Sequence, residues 1–346
     1  MNLNRFTMKS TASSSRPAFK RSTRHRVLPT IRKDLLRNKH PYFFVKGTNE
    51  VMVCVHAWSI PSPKAIVQIS HGMGENGARY AALAEELNKA GYAVYANDHR
   101  GHGFTKGDTP QGPFRQGYAG PDAINGMCRD LRTVTDEIAQ RHPNVPIVLF
   151  GHSMGSFIAQ KTMAEHAANY AGFILTGSSG PRSALPLKIG SALAAAEARV
   201  LSPAFASLTL NMLVFGPFVR RFAQRRTFFD WLSRDPQSVD DFIENYGQTL
   251  FSCGFFRDFF RLLLEIQTPH YARRLDVSKP VLLCSGELDP VGGAEGLAKL
   301  KDFYEEAGID DLECRLYPEA RHELAFEINR SEVTEDWISW LERHFS

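Results

Sequence analysis

The five residues Gly151-His152-Ser153-Met154-Gly155 constrain this chain more than any other stretch of it. They follow the apolar run Ile147 to Phe150 and precede a helical pattern from Ser156 to His166. A strand that turns at once into a helix presses backbone segments together, and only the hydrogen side chains of Gly151 and Gly155 leave room for that turn. Ser153 would then project its hydroxyl above the carboxyl edge of a sheet, over a helix N-terminus that favours negative charge. The pentapeptide alone is a weak signal, and the strand before it and the helix after it are what give it weight.

The rest of the chain supplies such a sheet. From residue 51 short β-branched runs alternate with longer helical patterns, which predicts an α/β fold with a mostly parallel central sheet and flanking helices. Val51 to Ala57 and Ala65 to Ser70 read as the first strands, followed by Tyr92 to Asn97, Ile147 to Phe150, Phe173 to Thr176, Val281 to Ser285 and Glu313 to Tyr317. Helices are predicted over Arg79 to Lys89, ended by Gly91, over Asp122 to Arg141, and at the close over Glu332 to His344. Residues 178–270 break the alternation: they hold aromatics and long aliphatics without a clear strand, and are expected to form an inserted helical cap. The core then comprises 41–177 and 271–346. Within the insertion, Leu185 to Val219 is apolar enough to suggest a membrane span, but Glu197, Arg199 and Pro203 interrupt it, and charge in hydrocarbon is costly.

A serine hydroxyl is a weak nucleophile at neutral pH; it needs a base to take its proton and a third group to hold that base's tautomer. The strand ending at Ser285 runs into Gly286-Glu-Leu-Asp289-Pro290, and the strand ending at Tyr317 runs into Pro318-Glu-Ala-Arg-His322-Glu323. Ligand sites of open α/β sheets form at such carboxyl ends, and the order Ser, Asp, His fits one known arrangement of the triad. Ser153, Asp289 and His322 are therefore the candidate catalytic residues, with Glu287 the rival of Asp289. In isolation Asp289 is equally a turn residue before proline and His322 a solvated loop histidine. The loop His71-Gly-Met-Gly74 frees backbone to aim an amide at a developing oxyanion, so the main-chain N–H groups of Met73 and Met154 are the expected donors. A phosphate-binding loop does not fit, because neither Lys-Ser nor Lys-Thr follows the glycines.

Four segments, His71-Gly-Met-Gly-Glu75, Asp98-His-Arg-Gly-His-Gly103, Gly151-His-Ser-Met-Gly155 and Asp289-Pro-Val-Gly292, resemble the monoacylglycerol lipase and lysophospholipase family, and the likeness runs in order over residues 42–346. Phe229 to Asp235 is similar to cap sequences of bacterial members. The resemblance implies an α/β-hydrolase fold with a helical cap over an acyl-binding channel, the triad Ser153, Asp289 and His322, and Met73 and Met154 as oxyanion donors. It departs from the family at Asn76, where a histidine is frequent, and at Ser156, where a further glycine is frequent. The expected activity is carboxylic-ester hydrolysis through an acyl-enzyme, on monoacylglycerol or lysophospholipid-like esters. Phe205, Phe215, Phe218, Phe228 and Trp231 are candidate contacts for the acyl chain, or equally the cap's own core. A thioesterase, amidase or peptidase with the same triad is the enzymatic alternative, and a non-catalytic lipid-binding protein on a hydrolase scaffold is the alternative of another class.

No cofactor is required by this chemistry. Asp98-His-Arg-Gly-His-Gly103 offers an acid and two histidines but lacks metal-ligand spacing, and is expected to be a hydrogen-bonded turn at the active-site rim. Eleven of the 41 Lys and Arg, against a single acid, Asp34, fall in residues 1–40, so the remainder is mildly acidic. That segment has no apolar core for a secretory signal and is expected to be a disordered tail; a transit peptide and an arm touching an anionic membrane are the alternatives. No nucleic-acid partner is expected. The five cysteines are far apart with no Cys-x-x-Cys pair, as suits free thiols in a reducing, cytoplasmic setting, peripheral to the membrane if the tail docks there.

Overall fold

The computed structural model describes residues 41–105, 115–247 and 249–346. The expectations for the basic tail lie outside them. Eight strands form one sheet: β1 (Tyr42–Lys46), β2 (Met52–Trp58), β3 (Ala65–Ser70), β4 (Tyr92–Asn97), β5 (Ile147–His152), β6 (Gly172–Thr176), β7 (Val281–Gly286) and β8 (Leu312–Tyr317), in the order β1-β2-β4-β3-β5-β6-β7-β8. β1 and β2 run antiparallel to their neighbours, and β4, β3, β5, β6, β7 and β8 are parallel.

The central strands read as unbroken apolar runs because both faces are covered. Alternate residues of β5 show it: Ile147 and Leu149 join the core on one face, Val148 and Phe150 the core on the other. On the first face lie helices α2 (Ala123–Arg141) and α3 (Met154–His166). On the second lie α1 (Ala81–Lys89) and, closing the chain, α9 (Arg330–Phe345). The strand expected first in the chain is in fact second, since β1 precedes it. Tyr-Phe-Phe-Val-Lys shows no period of two because β1 is an edge strand whose outer residues, Tyr42 and Phe44, stay exposed although apolar.

Between β6 and β7 the chain forms α4 (Ala184–Val200), α5 (Leu208–Arg220), α6 (Pro236–Asn245), α7 (Cys253–Glu265) and the short α8 (Pro269–Ala272). Pro203 separates α4 from α5, and among the described residues no helix is long and apolar enough to cross a membrane. Much of this insertion is continuous with the core: Leu187, Ala194 and Ala198 of α4 and Phe255, Phe256 and Phe259 of α7 belong to the same buried cluster as α2 and α3. A smaller cluster of Val219, Trp231, Leu232, Phe242 and Tyr246 stands apart.

Register fixes where the loops emerge. Ser70 pairs with Gly151, and His152 with Thr176, so the loops after β3, β5 and β6 leave the sheet at one level. A methyl group at Gly155 would lie 1.9 Å from the Ser70 carbonyl oxygen, so α3 can start there only because residue 155 has no side chain. Gly155→Ala is expected to destabilise the protein by about 3 kcal/mol or more in urea unfolding. Gly216→Ala in α5, where the added methyl meets only Arg220 at 3.8 Å, is the control that should not. Equal midpoints for the two variants would refute the packing described here.

Candidate active site

Ser153 sits between β5 and α3 with φ 51° and ψ −121°, a conformation that few side-chain-bearing residues adopt. The turn is held by the Ser153 N–H donating to the Thr176 carbonyl at 3.0 Å, and by the Ser156 N–H and hydroxyl returning to the Ser153 carbonyl at 2.9 and 2.6 Å. Ser156, which replaces a frequent glycine, thus fastens the elbow.

Three side chains widely separated in the chain meet here. Ser153 Oγ lies 2.8 Å from His322 Nε2, and His322 Nδ1 lies 2.9 Å from Asp289 Oδ1. Asp289 and His322 are buried. Their loops are tied by main chain, since Glu287 N–H donates to the Tyr317 carbonyl and Leu288 N–H to the Ala320 carbonyl, both at 2.9 Å. Glu287, the rival carboxylate, points elsewhere: it is exposed and accepts from the Glu319 N–H at 3.0 Å. Asp289 Oδ1 also accepts from the Val291 N–H at 2.8 Å, which steadies its aim at the imidazole.

Electrostatics separate the two histidines beside Ser153. Burial works against charge on His322, yet Asp289, through its charge and hydrogen bond, holds it above the ordinary histidine value. His152, whose ring centroid is 4.9 Å from that of His322, is pushed down to about 3 by burial and by its neighbour's charge. His152 therefore stays neutral while His322 is able to gain and lose a proton.

Met73 follows β3 and Met154 opens α3, where the first amides have no acceptor inside the helix; both residues line the same cavity as Ser153. A Cβ built on Gly72 would come 3.3 Å from Ser153 Cβ, so the β3 loop packs directly on the elbow. Three charged residues that sequence reasoning did not assign hold that loop. Glu75 Oε1 accepts from the Gly72 N–H at 2.6 Å and from Tyr80 OH at 2.8 Å, while its Oε2 accepts from Arg79 Nη1 at 2.7 Å. Arg79 also donates from Nη1 and Nη2 to Glu323 at 2.5 and 2.8 Å. Burial alone would neutralise Glu75, but Arg79 holds it ionised with a pKa of about 2. Arg79 in this way links the loop before α1 to the residue following His322, and its guanidinium lies 3.8 Å from the Phe326 ring centroid. The spacing of Glu75 and Arg79 was visible in the sequence; the distant partner Glu323 was not.

A cavity of about 740 Å³ opens from Ser153 and His322 between the sheet edge and the insertion. Phe215, Phe218, Phe228 and Trp231 line it, with Trp231 5.1 Å from the His322 ring. Phe205 does not. It lies on the turn before α5, 44% exposed, with its main chain bonded to Ser202 and Cys253, so its aromatic character serves no wall of the cavity. The Phe229 to Asp235 stretch instead grips the histidine loop: Glu323 N–H donates to the Leu232 carbonyl at 2.8 Å, and Arg234 Nε donates to Glu327 at 3.0 Å.

Asp98 has both carboxylate oxygens engaged in hydrogen bonds. Asp98 Oδ1 faces His56 Nε2 at 3.0 Å and accepts from the Gly77 N–H at 2.8 Å, while Oδ2 accepts from the Phe104 N–H at 2.7 Å. Arg100 is paired with Asp130. Cys54, His56 and Asp98 bring possible ligand atoms within 4.8 Å, but burial holds the Cys54 thiol protonated and both Asp98 oxygens are engaged, so the donor set suits a structural anchor. All five cysteines are free thiols, four of them buried.

The His322 imidazole is expected to titrate by NMR with a midpoint above 6.5, and Asp289→Asn should bring that midpoint down, because the raising influence is the carboxylate. An unchanged midpoint in the variant would break this account of the pair.

A curated monoacylglycerol lipase of Mycolicibacterium smegmatis is 26% identical over 89% of this chain and 98% of its own length. Human monoglyceride lipase is 27% identical over 82% of this chain and 84% of its own. Among solved structures, a thermostable carboxyl esterase from Bacillus coagulans in complex with glycerol superposes with a TM-score of 0.81 at 28% identity, over 88% of this chain and 99% of that one. Residues 61–329 match the family described as serine aminopeptidase, S33, and the chain belongs to that family as an α/β-hydrolase resembling the monoacylglycerol lipases.

Proposed function

We propose that this chain hydrolyses carboxylic esters of lipids, of the monoacylglycerol or lysophospholipid kind, through an acyl-enzyme on Ser153. The observation that carries the reading is the hydrogen-bonded series Ser153, His322, Asp289 at the floor of a largely apolar cavity whose volume falls in the range of small-ligand sites. Names borne by relatives support an ester rather than a peptide substrate. So does the hydrogen bonding: the cavity's two carboxylates, Glu75 and Glu323, are both engaged by Arg79 and so are not free acceptors for a peptide's amino terminus.

In the proposed mechanism Ser153 Oγ attacks the ester carbonyl while His322 Nε2 takes its proton. Asp289 holds the Nδ1–H tautomer and stabilises the imidazolium. The amides of Met73 and Met154 receive the negative oxygen, an interaction whose loss typically costs about 3 kcal/mol of transition-state stabilisation per donor. His322 returns the proton to the leaving alcohol, then takes one from a water that attacks the acyl carbonyl, and delivers it to Ser153 Oγ as the acid leaves. Residues 178–270 act as the cap, and Phe215, Phe218, Phe228 and Trp231 enclose the acyl chain.

Three outcomes are expected. With p-nitrophenyl esters, monoacylglycerol and lysophosphatidylcholine, Ser153→Ala should lower kcat by about 10⁶-fold; an undiminished rate would remove Ser153 from the mechanism. The acid limb of kcat/KM should lie above pH 6.5, because the base must be neutral and its pKa is raised. Arg79→Gln, which unties the loops without touching substrate, should cost about 10²-fold in kcat with KM little changed, and Arg79→Lys should recover part of it. A rise in KM alone would instead make Arg79 a binding residue.

A further inference from the structure

Among the described residues, Arg182 is a charged residue of the cavity wall that has no ion-pair partner. Among the charged side chains lining it, Glu75 and Glu323 share Arg79, while no carboxylate pairs with Arg182 among the described residues. Arg182 Nε donates to Ser179 Oγ at 3.2 Å, and Nη2 donates to the Val291 carbonyl. Its Nη1, with two N–H groups, has no protein acceptor among the described residues. The guanidinium stands 5.9 Å from the Phe157 ring centroid, and Phe157 N–H bonds the Ser153 carbonyl. On its other side, Val291 N–H bonds Asp289, so Arg182 is one residue removed from the nucleophile on one side and from the acid on the other.

A half-buried guanidinium without a counter-ion is unfavourable unless the ligand brings the anion, and burial holds Arg182 below its ordinary pKa against the partly offsetting charge of Asp289. The planar fork fits phosphate oxygens in a bidentate manner. An acyl carbonyl is directed to the Met73 and Met154 amides, so an anion held elsewhere in the cavity belongs to the alcohol part of the ester. Resting on the ester reading above, we propose that Arg182 binds the phosphate of a lysophospholipid head group, and that phosphate-bearing lysolipids are preferred over neutral monoacylglycerol.

Ether-linked analogues, which cannot be cleaved, separate this proposal from the ester reading. Calorimetric titration of full-length protein, below the critical micelle concentration, would compare 1-O-hexadecylglycerol 3-phosphate, 1-O-hexadecylglycerol and palmitate. The phosphate ether should bind more tightly than the neutral one, and Arg182→Gln should weaken the phosphate ether by about 10- to 100-fold while leaving the neutral ether within about threefold. Arg182→Lys should fall between. Equal weakening of both ethers would make Arg182 only a tie between Ser179 and Val291, and no change in either would make it a bystander. An equal dependence of palmitate on Arg182 would reassign it to the product carboxylate. Each of these three results overturns the proposal whether or not the corresponding esters are hydrolysed.

Discussion

Everything at the site depends on how closely α3 starts against β3. The Ser70 carbonyl occupies the space a side chain at position 155 would need, and the Gly155 carbonyl oxygen would lie 2.7 Å from a Cβ on Gly151. With the backbones this close, Ser153 between them adopts φ 51° and its hydroxyl faces His322. Backbone strain of this kind costs about 1–3 kcal/mol and persists only where the surroundings over-determine it. Here the surroundings are a parallel sheet apolar on both faces and a helix buried almost throughout.

Charged groups at this edge are paired locally. Asp289 faces His322; Glu75 and Glu323 face Arg79; Asp98 faces His56 and two amides; Asp130 faces Arg100. Buried ions are tolerated only when paired and hydrogen-bonded, and all of these pairs except Glu75 with Arg79 also join segments distant in the chain. Glu75 reaches the Gly72 amide, next to Met73, so the loop expected to meet the oxyanion is held by the same arginine that holds the residue after His322. Arg182 departs from this pairing, and its position in the cavity wall is what gives that departure meaning.

The insertion plays two parts. α4 and α7 extend the main core, whereas the stretch around Trp231 and Phe242 forms a separate small cluster whose aromatic rings surround His322 and Arg79. Apolar residues are therefore not interchangeable along it: Phe218 walls the cavity and Phe205, a short distance away in the chain, meets solvent.

The sequence by itself determined the elements whose causes are local. The β3 and β4 strands and the elbow follow from short apolar runs, β-branched residues and glycine sterics, all contained within a few residues. The same windows brought out Ser153, Asp289 and His322, because each falls just past a strand that points to one edge. Only the tertiary structure set Asp289, and not Glu287, against His322, revealed β1 as an edge strand, separated Phe205 from Phe218, and joined Arg79 to Glu323. These depend on contacts between loops that no short window contains. A carboxylate two residues along a turn differs in direction rather than in type, and an ion pair spanning most of the chain has no periodicity to announce it.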